Sequence, residues 1–156
     1  MQYREEYADV TKLNSSYAIC HCISVDCAMG AGVVVPIKQK HVGVKPACIE
    51  YVREMTPEQA LGTSFRYEDE RGVCYNMFSK RWVRENAQNL GETVYLNNLK
   101  SCLEDIKNQM EFRREKYLAM PQIGSGLDRC NWENVKNVIF EVFNDSNISI
   151  LVCLWK

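Results

Sequence analysis

The sequence predicts an α/β fold, a three-layer α/β/α sandwich around a mixed, mostly parallel central sheet. Strand patterns alternate along the chain with helical patterns. Two of the strands, at residues 17–24 and 148–155, are apolar along almost their whole length, which is typical of a sheet covered on both faces. A hairpin pattern at residues 62–79 adds an antiparallel strand, so we expect the sheet to be mixed.

Each element has its own signal in the sequence. Runs of β-compatible residues predict strands at residues 1–5 (an edge strand), 17–24, 62–67, 72–79, 117–122 and 148–155. Helical spacing of apolar residues predicts a short helix at residues 47–55 and a long helix from Thr93 onwards. Asn131 is a good N-cap for a further helix. The polar stretch at residues 82–91 has no periodicity and is expected to be a loop.

Length and composition indicate one ordinary globular domain over residues 1–156. Lysine and arginine number 19 against 20 aspartates and glutamates, so the net charge of -1 offers no general attraction for nucleic acid. No apolar run is long enough to cross a bilayer, and the polar N-terminal residues lack a signal-peptide pattern. We therefore expect a cytoplasmic monomer without membrane contact, or a nuclear one in a eukaryote.

Eight cysteines are spread over the chain and are expected to be reduced thiols, most of them acting as small buried hydrophobes. The cluster of Cys20, His21, Cys22 and Cys27 suggests zinc. However, Cys20 and Cys22 alternate within a strand, and no second CxxC pair completes a tetrahedral site. We expect no metal and interpret His21 as a core residue.

Two glycine-rich loops and one lysine carry the functional signal. Residues 120–129 (MPQIGSGLDR) predict a strand, a glycine turn and a helix start, which together direct backbone N–H groups at an anion. Gly30 and Gly32 mark a second such loop, which matches neither GxGxxG nor the Walker pattern. Lys80 ends the strand at 72–79. Because ligands bind at the carboxyl ends of strands in such sheets, these features indicate one site.

Each of these residues also has a purely structural interpretation. A lysine that closes a strand is usually solvated. Asp128 just past the turn is as well explained by stabilisation of the next helix's N-terminus as by chemistry. Gly124 and Gly126 are compatible with a tight turn alone. Residue patterns by themselves leave these alternatives open.

Two motifs together resemble the macrodomain family. HCISVDCAMGAG (residues 21–32) and MPQIGSGLDRCNWENV (residues 120–135) are similar to the branch of the terminal ADP-ribose protein glycohydrolase, in matching order and spacing over essentially the whole chain. The resemblance implies an ADP-ribose pocket, with no cofactor and no metal. HCIS replaces the asparagine-rich motif of the commonest macrodomain hydrolases, so we do not expect their asparagine-dependent mechanism here.

The resemblance implies a role for each part of the pocket. Asp9 would hydrogen-bond the adenine amine with Val10 beside it, and Trp155 would pack near the adenine. The first loop would contact the distal ribose and the diphosphate through Ser24, Met29, Gly30, Ala31 and Gly32. The second loop would contact the diphosphate through Pro121, Gln122, Ile123, Gly124, Ser125, Gly126 and Leu127.

For the chemistry, the resemblance implies that Lys80 attacks the distal ribose and that Asp128 acts as general acid/base. The expected substrate is protein mono-ADP-ribosylated on acidic side chains. Alternatives on the same pocket are removal of ADP-ribose from thymidine in DNA, deacetylation of O-acetyl-ADP-ribose and dephosphorylation of ADP-ribose 1″-phosphate. A module that reads ADP-ribose without turnover is the alternative of another class. Trp82 and Arg84, in the following loop, are further candidates for substrate contact.

Overall fold

A single six-stranded sheet organises the computed structural model, which describes residues 1–155. The strands are β1 (Gln2–Tyr7), β2 (Ala18–Ser24), β3 (Ser64–Asp69), β4 (Gly72–Lys80), β5 (Tyr117–Pro121) and β6 (Ser149–Leu154). The helices are α1 (Val34–Lys40), α2 (Val44–Arg53), α3 (Pro57–Ala60), α4 (Ala87–Leu90), α5 (Glu92–Arg113) and α6 (Trp132–Phe143).

The sheet has the strand order β1-β6-β5-β2-β4-β3. Only β3 among these six described strands runs antiparallel to its neighbour; the other pairings are parallel. The six predicted strands and the mixed sheet are therefore confirmed. The parallel arrangement brings the carboxyl ends of β1, β6, β5, β2 and β4 to one edge.

Alternate residues of the central strands feed two apolar cores, one on each face of the sheet. Helices α5 and α6 cover one face, where Cys20, Tyr75, Met77, Leu118 and Ile150 meet them. The other face, with Ile19, Cys74 and Leu151, is covered by a 3₁₀ turn at Val10–Lys12 and by α1. Helix α2 extends this second layer over Ile23 and Phe78. The predicted three-layer sandwich is confirmed.

Helix α4 corrects the prediction that residues 82–91 form a loop throughout. The Asn86 side chain accepts hydrogen bonds from the amides of Gln88 and Asn89, and the Asn89 side chain caps the Asn86 amide in return. This reciprocal capping stabilises a single turn that has no apolar periodicity to reveal it. Helix α2 begins earlier than predicted, at Val44, because Pro46 fits a first turn, where no intrahelical N–H is required.

Within residues 1–155, no helix combines the length and apolarity needed to span a bilayer. All eight cysteines are free thiols, and every one except the half-buried Cys22 is buried. In the same residues, no group of three or more histidine, cysteine or carboxylate side chains is arranged to hold a metal ion.

Candidate active site

A cavity of about 470 Å³ opens at the carboxyl edge of the sheet. Its volume lies within the range of small-molecule sites. The loops that follow β2, β4 and β5 surround it. Thirteen of the seventeen residues to which the resemblance assigns a role line it, namely Ser24, Met29, Gly30, Ala31, Gly32, Lys80, Pro121, Gln122, Ile123, Gly124, Gly126, Leu127 and Asp128. Three segments far apart in the sequence therefore form one site.

Lys80 and Asp128 form a buried ion pair in the wall of this cavity. Lys80 Nζ lies 2.5 Å from Asp128 Oδ1, and each side chain is only 9% exposed. Nζ also donates to the carbonyl oxygens of Val83 and Glu85, at 3.0 and 2.9 Å. A lysine ammonium has three N–H donors, and here all three have acceptors. The pair resolves both structural alternatives: Lys80 is not a solvated strand end, and the Asp128 side chain pairs with Lys80 rather than with helix α6.

The loop at residues 81–86 is folded around the lysine. Glu85 Oε1 accepts hydrogen bonds from the amides of Arg81 and Trp82, both at 2.9 Å. The amide of Ala87 donates to the Asp128 carbonyl oxygen at 2.7 Å, which fastens the far end of the loop to the second glycine-rich loop. Lys80 therefore has two structural roles: its backbone ends β4, and its side chain holds the following loop in place through hydrogen bonds.

Asp26 joins the first glycine-rich loop to the same segment. Its Oδ1 accepts from the Ser24 hydroxyl at 2.5 Å and from the Ala28 amide at 3.2 Å, and its Oδ2 accepts from the Val83 amide at 2.9 Å. Burial alone would raise the pKa of Asp26, but these hydrogen bonds outweigh it and hold the pKa below its ordinary value. The ionised carboxylate is thus the form that connects the two loops.

Acidification should release this connection. Because the pKa of Asp26 is lower in the folded than in the unfolded chain, its contribution to stability is fully present above the ordinary aspartate pKa of about 4 and is lost as the pH falls below the folded value. We expect Asp26→Asn to lower the free energy of unfolding at pH 7, with the difference from the wild type shrinking towards about pH 2. Denaturant titrations at both pH values measure it, and a pH-independent difference would contradict this role.

The two glycine-rich loops approach each other across the cavity. A Cβ on Gly32 would lie 3.1 Å from Leu127 Cδ1. Gly124 has a φ of 73°, and a Cβ there would lie 3.1 Å from the Tyr95 ring, so its backbone requires glycine. Gly126 is different: its φ is not positive, and a Cβ would meet nothing within 4 Å. The local structure does not require glycine at 126, whereas a ligand approaching the backbone would.

Of the seventeen residues to which the resemblance assigns a role, four do not line this cavity: Asp9, Val10, Ser125 and Trp155. Asp9 caps the 3₁₀ turn by accepting from the amide and hydroxyl of Thr11, while Val10 is buried in the core. Trp155 follows β6 at the same sheet edge and is 83% exposed. The Ser125 hydroxyl is buried and has no hydrogen-bond partner among the described residues. The functional roles of these four, like those of the residues that line the cavity, stay predictions.

Burial shifts the pKa of two other reactive side chains of β2 away from neutrality. Burial raises the pKa of the Cys22 thiol to about 12, so it is not a thiolate at neutral pH. Burial also lowers the pKa of His21 to about 4, although its hydrogen bond to Asn76 acts in the opposite direction. His21 is a neutral core residue, as expected. Neither a Cys22 thiolate nor a charged His21 is therefore expected at neutral pH.

Sequence reasoning missed several residues of the site. The cavity is also lined by Cys22, Ile23, Val33, Val34, Val83, Glu85 and Asn86. Of the two further candidates, Arg84 lines the cavity and Trp82 does not. Tyr95 lies behind the cavity, where its hydroxyl donates to Asp128 Oδ2 at 2.5 Å. The backbone carbonyls of loop 81–86 leave no signal in the sequence. Tyr95 had one, since it is the aromatic residue next to the apolar stripe of the long helix.

Comparison with known structures assigns this fold to a class. The macrodomain of Mycobacterium tuberculosis DarG superposes with a TM-score of 0.80 at 16% identity, covering 99% of this chain and 98% of that one. Thermosipho africanus DarTG in complex with ADP-ribose superposes with a TM-score of 0.73 at 17% identity, covering 88% of this chain and 37% of that one. At these identities the fold is what is shared. No family model matches the sequence.

Sequence similarity extends the assignment. The ADP-ribose glycohydrolase OARD1 of Homo sapiens and that of Bos taurus are each 35% identical over 135 residues, which is 86% of this chain and 80% of the relative. The chain therefore belongs to the macrodomain family, in the terminal ADP-ribose glycohydrolase branch that includes OARD1.

Proposed function

We propose that the chain is a hydrolase that removes mono-ADP-ribose from acidic side chains of proteins through a lysine–sugar intermediate. The observation that carries this proposal is the buried contact of 2.5 Å between Lys80 and Asp128 in the cavity wall. The identity to relatives named ADP-ribose glycohydrolase supports a hydrolase acting on an ADP-ribose linkage. The fold shared with a protein solved with ADP-ribose supports that ligand.

In this proposal the two glycine-rich loops hold the diphosphate. Backbone N–H groups of such loops bind anions without a metal, and the exposed Gly126 and Gly30 leave their backbone open to the cavity. Asp9 and Trp155, which follow β1 and β6 at the same sheet edge, are proposed to contact the adenine. The distal ribose would then lie towards Lys80 and Asp128.

The first chemical step is displacement at the anomeric carbon C1 of the distal ribose. Uncharged Lys80 Nζ forms a bond to C1, and the C1–O bond breaks with its electron pair leaving on the substrate carboxylate. Asp128, which has taken a proton from the lysine ammonium beforehand, passes it to the departing carboxylate and, ionised again, accepts a proton from the adduct nitrogen. Water then attacks C1, the C1–N bond breaks as Asp128 returns its proton to the nitrogen, and the Asp128 carboxylate takes up the surplus proton of the water. The products are ADP-ribose and the unmodified acidic side chain.

The free site holds the lysine in an unreactive form. All three donors of Nζ are engaged, so no lone pair is available to attack C1. The reaction therefore requires a proton to leave Nζ, and Asp128 Oδ1 is the ionisable acceptor in contact with it. We propose that substrate binding beside this pair triggers the proton transfer from Nζ to Asp128, because the bound substrate disturbs the three hydrogen bonds of the ammonium.

Direct assays of release test the proposal. The chain is incubated with a protein ADP-ribosylated on glutamate and, separately, with single-stranded DNA ADP-ribosylated on thymidine, and free ADP-ribose is followed. We expect release from the glutamate ester. Release from DNA alone would mean that the substrate is ADP-ribosylated DNA rather than ADP-ribosylated protein. Binding of ADP-ribose without release from either substrate would leave a reader module.

The glycine that the fold does not require gives a separate test of binding. Gly126→Ala should raise the Kd for ADP-ribose about tenfold, since the methyl group enters the space of the ligand, and should leave the melting temperature unchanged. Gly124→Ala is the contrasting variant, expected to lower the melting temperature because of its φ of 73°. Calorimetry and thermal unfolding measure both. Unaltered affinity in Gly126→Ala would contradict the diphosphate assignment of this loop.

A further inference from the structure

Tyr95 holds the second oxygen of the Asp128 carboxylate. Its hydroxyl donates to Oδ2 at 2.5 Å, while Oδ1 faces Lys80 at the same distance. The two oxygens of Asp128 therefore have separate donors, one from β4 and one from α5. The Tyr95 hydroxyl is completely buried and has a further contact with the Ser79 hydroxyl at 3.5 Å.

The surroundings keep this phenol a donor. Burial, with the nearby Cys22 and Asp128, raises the pKa of Tyr95 well above its ordinary value, so the hydroxyl stays protonated. The ring packs directly beneath Gly124, close enough that a Cβ there would lie 3.1 Å from Cε1. Tyr95 therefore contacts both the second glycine-rich loop and the carboxylate that ends it.

The chemistry of the proposed reaction makes the two donors unequal. Asp128 lies in a loop, just before Arg129 with its φ of 58°, so no regular element fixes its side chain. In the free site the ammonium of Lys80 orients the carboxylate. Once Nζ is bonded to the sugar and has given up a proton, one of its three N–H groups remains, whereas the Tyr95 hydroxyl donates to Asp128 as before.

We propose that Tyr95 is a positioning residue that holds Asp128 in place while the lysine–sugar adduct is hydrolysed. The inference rests on the proposed function. Tyr95 then acts mainly in the second step, in which water attacks C1, the C1–N bond breaks and Asp128 transfers a proton to the lysine nitrogen. Loss of the hydroxyl should slow hydrolysis of the adduct more than its formation.

Tyr95→Phe tests this, because it removes the hydroxyl and keeps the ring beneath Gly124. With the full chain and a glutamate-linked ADP-ribose substrate, we expect kcat to fall about 10- to 100-fold, in the range of a lost acid/base contribution. The Kd for ADP-ribose should stay within about twofold of the wild type. Intact mass during turnover should show a larger fraction of adduct than in the wild type.

A second tyrosine provides the matched control. Tyr75 is also completely buried, and its hydroxyl donates to a carboxylate, that of Glu115, away from the cavity. Tyr75→Phe makes the same chemical change and should leave kcat and the adduct fraction unaltered. Incorporation of p-aminophenylalanine at position 95, which retains an N–H donor, should restore turnover. If Tyr95→Phe does not fold, turnover by the p-aminophenylalanine variant still tests the positioning role.

The outcomes separate the two proposals. A wild-type chain that releases no ADP-ribose overturns the proposed function, and the role of Tyr95 with it. An active wild type with Tyr95→Phe turning over at the wild-type rate overturns the positioning role alone. So does a loss of kcat without any additional adduct, or one that p-aminophenylalanine fails to reverse.

Discussion

Lys80→Ala is expected to lower the rate of ADP-ribose release by at least about 10³-fold, because the nucleophile of the proposed mechanism is removed. The glycine-rich loops are untouched, so the Kd for ADP-ribose should change little. Stopped assays on a glutamate-modified protein, with calorimetry on ADP-ribose, measure the two quantities. Lys80→Arg is the matched variant, since it keeps a cation beside Asp128 and cannot act as an amine nucleophile. Near-wild-type turnover in either variant would contradict the mechanism.

The same substitution has a consequence for stability. Lys80→Ala leaves the buried carboxylate of Asp128 without its cation and leaves the carbonyls of Val83 and Glu85 without their shared donor. Removing one partner of a buried pair costs about 3–5 kcal/mol, and the hydrogen bond from Tyr95 reduces this here. Adding Asp128→Asn should recover part of the lost stability without recovering activity. This double variant separates the cost of an unpaired charge from the loss of chemistry.

Asp128→Asn is the second large effect that we expect. The amide keeps the shape of the carboxylate, but only its oxygen accepts, so it can satisfy Lys80 or Tyr95 and not both, and it cannot take up or return a proton at the reacting centre. Turnover should fall about 10²- to 10⁴-fold, the contribution of a general acid/base. Initial-rate assays measure this.

Asp69→Asn is the control, because Asp69 also pairs with a buried basic side chain, His41 at 2.9 Å, and lies away from the cavity. It should leave turnover unchanged. Equal losses in the two variants would mean that the assay reports stability rather than chemistry. Full activity of Asp128→Asn would remove Asp128 from the mechanism.

The elements and the two loops could be predicted from the sequence because their signals are local. Continuous apolar runs predict strands β2 and β6. The structure confirms Asn131 as the N-cap of α6. Helix α4 was not predicted because a four-residue helix stabilised by a capping box has no apolar periodicity.

The site was predictable only in part, since its key contacts are long-range. Residue patterns were equally compatible with purely structural roles for Lys80 and Asp128. Only the family resemblance paired the two residues. The pairing joins positions 48 residues apart, and that of Tyr95 with Asp128 joins positions 33 apart. Backbone acceptors such as the Val83 carbonyl have no identity in a sequence at all.

Intact mass analysis during turnover tests the central claim most directly. The wild type is mixed with a glutamate-linked ADP-ribose substrate, quenched at successive times and digested, and the modified peptide is located. The lysine–sugar mechanism predicts a gain equal to ADP-ribose less one water, on Lys80 alone, and no gain in Lys80→Ala. Turnover by the wild type with no adduct at any quench time, or an adduct that persists in Lys80→Ala, would contradict it.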